Sequence, residues 1–459
     1  MADIEKYGVL IIGGGQAGIP LARGLAGMGK RVALAERKDL GGSCINFGCT
    51  PTKAAIASAK LAHLARRGAA FGVNIPTVDV DFPHVLQRAR DISIEYRRGL
   101  DQRMVGVENL ELFRSHARFE GRDGDGFRLR LGADCIIADE VVIDTGTRSL
   151  IPAIEGLSEV QFIHAGNWLA MSSLPAHLAM IGGGAIGLEM AQFFHLMGSR
   201  VTVIEGADQV AGHEDADIAN TLTTVLESEG IEFLLKTSVA RVKAQGRDLQ
   251  LTLRGPGTDV LDASHIFVAT GRKPNTDDLG LENVGVAVSA HGIINADERL
   301  STNVTGIWAA GDVRGGLQLT STAWDDYRVL MSQIAGDGSR TTQRIAPYAI
   351  FTDPELGRAG MTEKEAVQAG HRVKVGRFDM KDSPKAVEIG QAEGLIKVVI
   401  DAETGLILGA AVLAAEGGEI VHCYVDLMNA RSPYTVLRDA IHIHPTLCEA
   451  IQSAVSTLR

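Results

Sequence analysis

The chain has 459 residues, 45% of them apolar and 22% charged, and a net charge of −11. That length exceeds what one hydrophobic core organises, so two to four domains are expected, with the composition of a soluble globular protein. The charge excludes the basic field that a nucleic acid or an anionic membrane would require. Five cysteines are too few, and odd in number, for a disulfide framework, which predicts a reducing compartment and a cytoplasmic protein. Residues 1–7 lead straight into a strand with no signal-peptide pattern, and no apolar run is long enough to span a bilayer.

The first element is an apolar run from Val9 to Ile12, which predicts a strand buried on both faces. Gly13, Gly15 and Gly18 follow, and then a helix-forming stretch. Glycines at this spacing permit a tight turn, close approach of a pyrophosphate, and close packing of helix on strand. The helix N-terminus offers free N–H groups and positive partial charge to the phosphates. A second strand, Val32 to Ala35, ends in Glu36, 18 residues after the last of these glycines, where a carboxylate can accept hydrogen bonds from ribose hydroxyls.

Directly afterwards comes Gly41-Gly42-Ser43-Cys44-Ile45-Asn46-Phe47-Gly48-Cys49-Thr50-Pro51-Thr52-Lys53. Residues five apart on a regular helix have Cα atoms roughly 8–9 Å apart, whereas a disulfide needs less than about 7 Å. A bond between Cys44 and Cys49 therefore requires a distorted turn, for which Gly48 and Pro51 are suited. A strained disulfide at a helix start is easily reduced, and the helix terminus stabilises the thiolate. Two buried structural thiols do not suit a Gly/Asn/Pro-rich loop. A zinc site has no second Cys or His pair nearby, and no metal is expected. A static disulfide does not suit a reducing compartment.

The strand 141–144 ends in Thr145-Gly146. A second unit then begins at His177, and shifting the first by 169 superposes it: Gly13, Gly15 and Gly18 fall on Gly182, Gly184 and Gly187, and Glu36 falls on Glu205. Two fingerprints in register through a strand–helix–strand unit form an internal repeat and predict two dinucleotide sites. Glu205 favours the free 2′-hydroxyl of NADH over a 2′-phosphate, and further acids with no Lys or Arg follow it through residue 219. The second unit has its own Thr-Gly turn at Thr270-Gly271. Gly146 lies 110 residues after Glu36, but Gly271 only 66 after Glu205, so the first unit carries 44 extra residues, placed between 39 and 104.

The run GGSCINFGCTPTK resembles the active-site stretch of the class I pyridine nucleotide–disulfide oxidoreductases, which include dihydrolipoamide dehydrogenase, glutathione reductase and mercuric reductase. The resemblance covers nearly the whole chain. Gly306 to Val313 is similar to the family's second flavin motif, Pro347 to Gly357 to the opening of its dimerisation domain, and His442 to Glu449 to its His-Pro-Thr-x-x-Glu motif. The resemblance implies Cys44 as the interchange thiol, Cys49 as the thiolate against the flavin, and Lys53 paired with Glu189 near it. It implies His444 as proton relay across a dimer interface, oriented by Glu449. FAD falls to Gly13, Gly15, Gly18, Glu36, Ala117, Thr145, Gly146 and Asp312, and NADH to Gly182, Gly184, Gly187, Glu205 and Gly271. His442, Cys135 and Cys423 are assigned to packing, and Cys448, one turn from His444, to a buried small apolar role, with a third thiol near the site as the alternative.

The implied architecture is α/β: two Rossmann-like three-layer nucleotide-binding domains plus a C-terminal α+β dimerisation domain. FAD is expected in 1–150 and 277–343, NADH in 151–276, and the dimer interface in 344–459, with strand-like runs at 395–400 and 406–413. The expected activity is that of a homodimeric FAD-dependent NADH:disulfide oxidoreductase of the dihydrolipoyl dehydrogenase type, acting on a small disulfide or a lipoyl-bearing protein. Two rivals stand beside it. One is a mercuric-reductase-like enzyme for metal ions or reactive oxidants, favoured by residues 144–148 and 322–328. For mercury itself the C-terminus, Ser456 to Arg459, lacks the vicinal cysteines of mercuric reductase. The other is a non-turnover flavoprotein that senses redox state or docks on a partner.

Overall fold

A computed structural model describes residues 4–459. The first sheet runs, edge to edge, through the strands Leu110–Phe113, Val32–Ala35, Glu5–Ile12, Asp134–Ile143, Gly126–Leu131 and Ala117–Asp123, and Ile307–Ala309 pairs with Asp134–Ile143. The first four strands and Ile307–Ala309 are parallel, with Ile12 opposite both Ala35 and Ile143. Val9 to Ile12 and Val32 to Ala35 are buried throughout, because helices cover both faces of a parallel sheet.

The second unit repeats this plan. Its parallel sheet runs Glu232–Leu234, Arg200–Ile204, His177–Ile181, His265–Val268 and Ile163–His164. Equivalent backbone bonds recur: the Gly13 N–H donates to the Ala35 carbonyl and the Gly182 N–H to that of Ile204, at 2.8 and 2.9 Å. The Asp144 N–H donates to Ile12 and the Ala269 N–H to Ile181, both at 2.8 Å. The extra residues of the first unit lie where the spacing places them, and they form helices α1 (Gly42–Asn46), α2 (Cys49–Arg66) and α3 (Phe82–Met104).

The C-terminal domain is an antiparallel sheet ordered Tyr348–Ile350, Glu355–Gly360, Ile407–Ala414, Leu395–Asp401 and Val373–Asp379, with short helices on it. It is tied to the second unit by buried charge. Arg358 and Glu214 are 2% and 6% exposed and hydrogen-bonded to each other, and the Tyr348 hydroxyl donates to Glu214 at 2.5 Å. Lys397 lies 3.3 Å from Asp215 and 3.1 Å from Asp217. Three acids that the sequence reading counted toward coenzyme preference are therefore engaged by the C-terminal sheet. Arg358→Ala strands the Glu214 carboxylate without its partner and is expected to cost about 3–5 kcal/mol. Urea unfolding checks this, and a loss below about 1 kcal/mol, as for a surface pair, contradicts it.

Candidate active site

Cys44 lies in α1 and Cys49 opens α2, so the pair spans a break between two helices. Phe47 and Gly48 form the break, and both their N–H groups donate to the Ser43 carbonyl, at 3.1 and 2.7 Å. A Cβ on Gly48 would lie 2.8 Å from that same oxygen, which is why glycine is required there. Pro51 sits inside the first turn of α2 and takes no part in the break, contrary to the sequence expectation. The Phe47 carbonyl, freed at the end of α1, accepts from the Trp168 indole N–H at 3.0 Å.

Both cysteines are free thiols. A hydrogen bond between the two thiols holds the Cys49 thiol down to about 6; burial opposes this, while Thr320 and the Lys53 charge assist. The same bond, together with burial, pushes the Cys44 thiol up. Thr320 Oγ1 is 3.2 Å from Cys49 Sγ. The two thiols thus titrate as one pair, with Cys49 the more acidic of the two.

Lys53, one turn further along α2, pairs with Glu189 at 2.7 Å. The other Glu189 oxygen accepts from the Phe351 N–H at 2.9 Å, and the Lys53 ammonium lies 4.6 Å from the Phe351 ring centroid. All three parts of the fold thereby fix one cation beside Cys49. Lys53→Met is expected to raise the Cys49 thiol by about one pH unit, since a nearby opposite charge favours the thiolate. Thiolate absorbance against pH measures this, and an unmoved midpoint removes Lys53 from the electrostatics of the pair.

The pair opens on a cavity of about 1600 Å³. Gly13, Gly15, Glu36, Ala117, Thr145, Gly146 and Asp312 line it with Cys44, Cys49, Lys53 and Glu189. Gly18 lies behind that wall, where a Cβ would strike the Gly13 carbonyl, and a Cβ on Gly13 would strike that of Asp144. Glu36 accepts from the Gly14 and Lys38 N–H groups, both at 2.8 Å, and so shapes the loop. Asp312 accepts from the Thr147 hydroxyl at 2.9 Å. This glycine cradle, backed by an acid and opening on a long cavity, fits FAD.

In the second unit Glu205 accepts from Gly183 at 2.7 Å and from Ala207 at 2.8 Å, in the pattern of Glu36. Gly182 and Gly187 repeat the close contacts of Gly13 and Gly18, while a Cβ on Gly184 would meet nothing within 4 Å. That open position fits a second dinucleotide. Gly182, Gly184, Gly187, Glu205 and Gly271 lie outside the cavity, which is reached from this unit by Ala185, Ile186, Glu189 and Met190.

His444 and Glu449 form the expected pair, with Nδ1 3.0 Å from a carboxylate oxygen, and Glu449 also accepts from the Thr446 N–H at 3.2 Å. Slight burial raises the Glu449 carboxyl, but His444 and Thr446 lower it by more. The His444 side chain is 66% exposed and does not line the cavity with the cysteines.

Two acids, Asp144 and Asp326, entered the sequence analysis only as members of segments 144–148 and 322–328 and not as site residues. Asp144 is buried and accepts from the Gly18 N–H at 2.8 Å, and its burial pushes the carboxyl well above the usual range. Asp326 accepts from the Gly311 N–H at 2.8 Å and is clamped by Arg314 and Arg344. Asp144 directly precedes a Thr-Gly turn, and its place at a strand end was the available signal. Cys423 and Cys448 pack against the C-terminal core as expected, half-buried, but their Sγ atoms also meet at 3.4 Å, which the sequence did not announce.

The family model described as "Pyridine nucleotide-disulphide oxidoreductase" matches residues 7–326, and that of its dimerisation domain matches 346–455. The chain is 33% identical to "Probable pyridine nucleotide-disulfide oxidoreductase RclA" of Escherichia coli (strain K12), over 99% of this chain and all of the relative. It is 32% identical to "Dihydrolipoyl dehydrogenase" of Thermus scotoductus, over 99% of this chain and 98% of the relative. A solved structure titled "Cu(II) complex of HOCl-induced flavoprotein disulfide reductase RclA from Escherichia coli" matches with a TM-score of 0.88 at 32% identity, covering 98% of this chain and 99% of the other. With two in-register dinucleotide units, a cysteine pair on the first and full-length matches on both sides of residue 346, the chain belongs to the pyridine nucleotide–disulphide oxidoreductase family.

Proposed function

We propose that this enzyme reduces a disulfide with NADH through Cys44 and Cys49, and that residues of two subunits complete each site. The reading is carried by one observation: two free thiols, Cys44 and Cys49 at the head of α2, open together onto the glycine-cradled cavity beside the Lys53–Glu189 pair. FAD is assigned to 1–150 and 277–343, NADH to 151–276, and the subunit interface to 344–459. When bound, FAD takes the electron pair of NADH and passes it to the cysteine pair.

Cys44 is the attacking thiol, and its proton, held by the Cys49 thiolate, has to be removed first. The partner subunit's His444 is the base, with Glu449 holding its ring. The Cys44 thiolate attacks one sulfur of the substrate disulfide, forming a mixed disulfide and releasing a thiolate that takes the proton back from that histidine. Cys49 then attacks Cys44 Sγ, closing the Cys44–Cys49 disulfide and releasing the second product thiolate. Lys53 and Thr320 stabilise Cys49 between turns of the cycle.

The two-subunit arrangement is supported by the loop that carries His444. Ile441 and Ile443 are 102% and 79% exposed, and apolar side chains this bare just ahead of His444 in the same loop suit burial against a second copy. Among the described residues no helix is long and apolar enough to cross a membrane. The sparse free cysteines suit a reducing cytoplasm.

A second reading concerns the acceptor. The Escherichia coli relative is titled HOCl-induced and was solved as a Cu(II) complex, so a reactive oxidant or a copper ion could take the electrons from the same thiols. Anaerobic titration with NADH tests the common mechanism: a long-wavelength band on two-electron reduction is expected, and flavin bleaching without it rejects coupled cysteines. Fast NADH formation from dihydrolipoamide and NAD then selects a lipoyl substrate. NADH consumption with hypothiocyanous acid or Cu(II), and not with lipoamide, selects the second reading.

A further inference from the structure

The C-terminal domain holds a second sulfur pair. Cys423 lies in the first turn of the helix His422–Asn429, and Cys448 lies two residues before the helix Ala450–Ser456. Their Sγ atoms are 3.4 Å apart, although 25 residues separate them in the chain. Both are half-buried at the rim of the C-terminal core. Filling that rim requires only small apolar groups, and it does not require two sulfurs in contact. Among the described residues no group of three or more His, Cys, Asp or Glu is placed to hold a metal ion, so the arrangement is a dithiol rather than a metal centre.

A disulfide has its sulfurs about 2.05 Å apart, so closure requires an approach of about 1.4 Å. A hydrogen bond between the two sulfurs, which either can donate, holds the Cys423 thiol down to about 7 while the Cys448 thiol is pushed up, so the pair has substantial thiolate character near neutral pH. Cys448 immediately precedes Glu449, whose carboxylate sits 3.0 Å from His444. Drawing Cys448 toward Cys423 therefore shifts the group that holds the histidine.

We propose that Cys423 and Cys448 form a second redox-active dithiol, which small disulfides of the glutathione type oxidise to an intrachain disulfide that displaces Glu449 from His444 and slows turnover. The Cys423 thiolate attacks one sulfur of RSSR and releases RS⁻. Cys448 loses its proton and displaces the second RS⁻ from Cys423. RSSR is reduced to two RSH, and the dithiol is oxidised by two electrons. Bond formation stands on geometry alone, whereas the effect on turnover rests on the role proposed above for His444.

The test equilibrates the holoenzyme over a range of glutathione to glutathione disulfide ratios, traps thiols by alkylation, maps peptides by mass spectrometry, and measures kcat at each ratio. The peptides bearing Cys423 and Cys448 are expected to lose alkylation together and appear as one linked pair. Over the same range kcat is expected to fall about tenfold, since a misplacement of order 1 Å can cost up to 10²-fold. Cys423→Ser is expected to keep its turnover at every ratio. Full alkylation of both cysteines at the most oxidising ratio overturns the proposal, as does a linked pair with unchanged kcat. The mapping needs no turnover, so an enzyme inert with every acceptor would refute the reading of the cavity while leaving the mapping result interpretable.

Discussion

Replacing Cys44 by Ser is expected to lower NADH-dependent disulfide reduction by about 10³-fold or more, while the Cys49 thiolate remains. A serine hydroxyl fills nearly the same space and can still donate to Cys49, but it can neither attack the substrate nor close a disulfide. The two functions of the pair separate in this variant. Cys49 is held down to about 6 from an ordinary thiol value of 9.0 by the Cys44 hydrogen bond, with Thr320 and Lys53 assisting. Its thiolate fraction therefore rises as pH rises through that region and is lost below it. In Cys44→Ser the midpoint is expected to stay well below 9.0, and in a Cys49→Ser protein the most acidic component of the thiolate absorbance should vanish. Steady-state rates and thiolate absorbance decide the matter, and wild-type turnover in Cys44→Ser would end the disulfide mechanism.

His444→Gln is expected to lower turnover by about 10²–10⁴-fold, the usual contribution of a positioned acid–base group. Glu449→Gln should cost less, because the ring remains and only its orientation weakens. The decisive experiment uses two inactive proteins. His444 is exposed and absent from the wall of its own subunit's cavity. If each site draws its cysteines from one subunit and its histidine from the other, mixing Cys44→Ser with His444→Gln under subunit exchange creates dimers with one intact site. About a quarter of wild-type activity should return, from random pairing of equal amounts in a twofold dimer. If the histidine served its own subunit, mixing would restore nothing.

Much of this was legible in the residues. The glycine fingerprints, the acids 18 residues beyond them and the shift of 169 depend on local strand–turn–helix geometry, which a few residues impose wherever they occur. Cys44 and Cys49 were legible for the same reason, since five residues of chain keep them together under any tertiary arrangement. The place of the extra residues in the first unit followed from counting, and their helical form did not. Pairs distant in sequence that the family resemblance named, such as Lys53 with Glu189, were expected, but their geometry belongs to the packed molecule.

The tertiary structure alone decided the rest, because side chains far apart in sequence meet only when domains pack. Nothing near Glu214, Asp215 or Asp217 in the chain announces Arg358 or Lys397, and those acids read as coenzyme-facing until the C-terminal sheet claims them. Asp144 looked like one polar residue at a strand end, and only the approach of the Gly18 N–H and its burial single it out. Pro51 was offered as a helix breaker on composition, but it is tolerated in the first turn of α2, where its missing N–H costs nothing. Cys423 and Cys448 each read as a small apolar residue, and their meeting at 3.4 Å depends on how two C-terminal segments dock on one sheet.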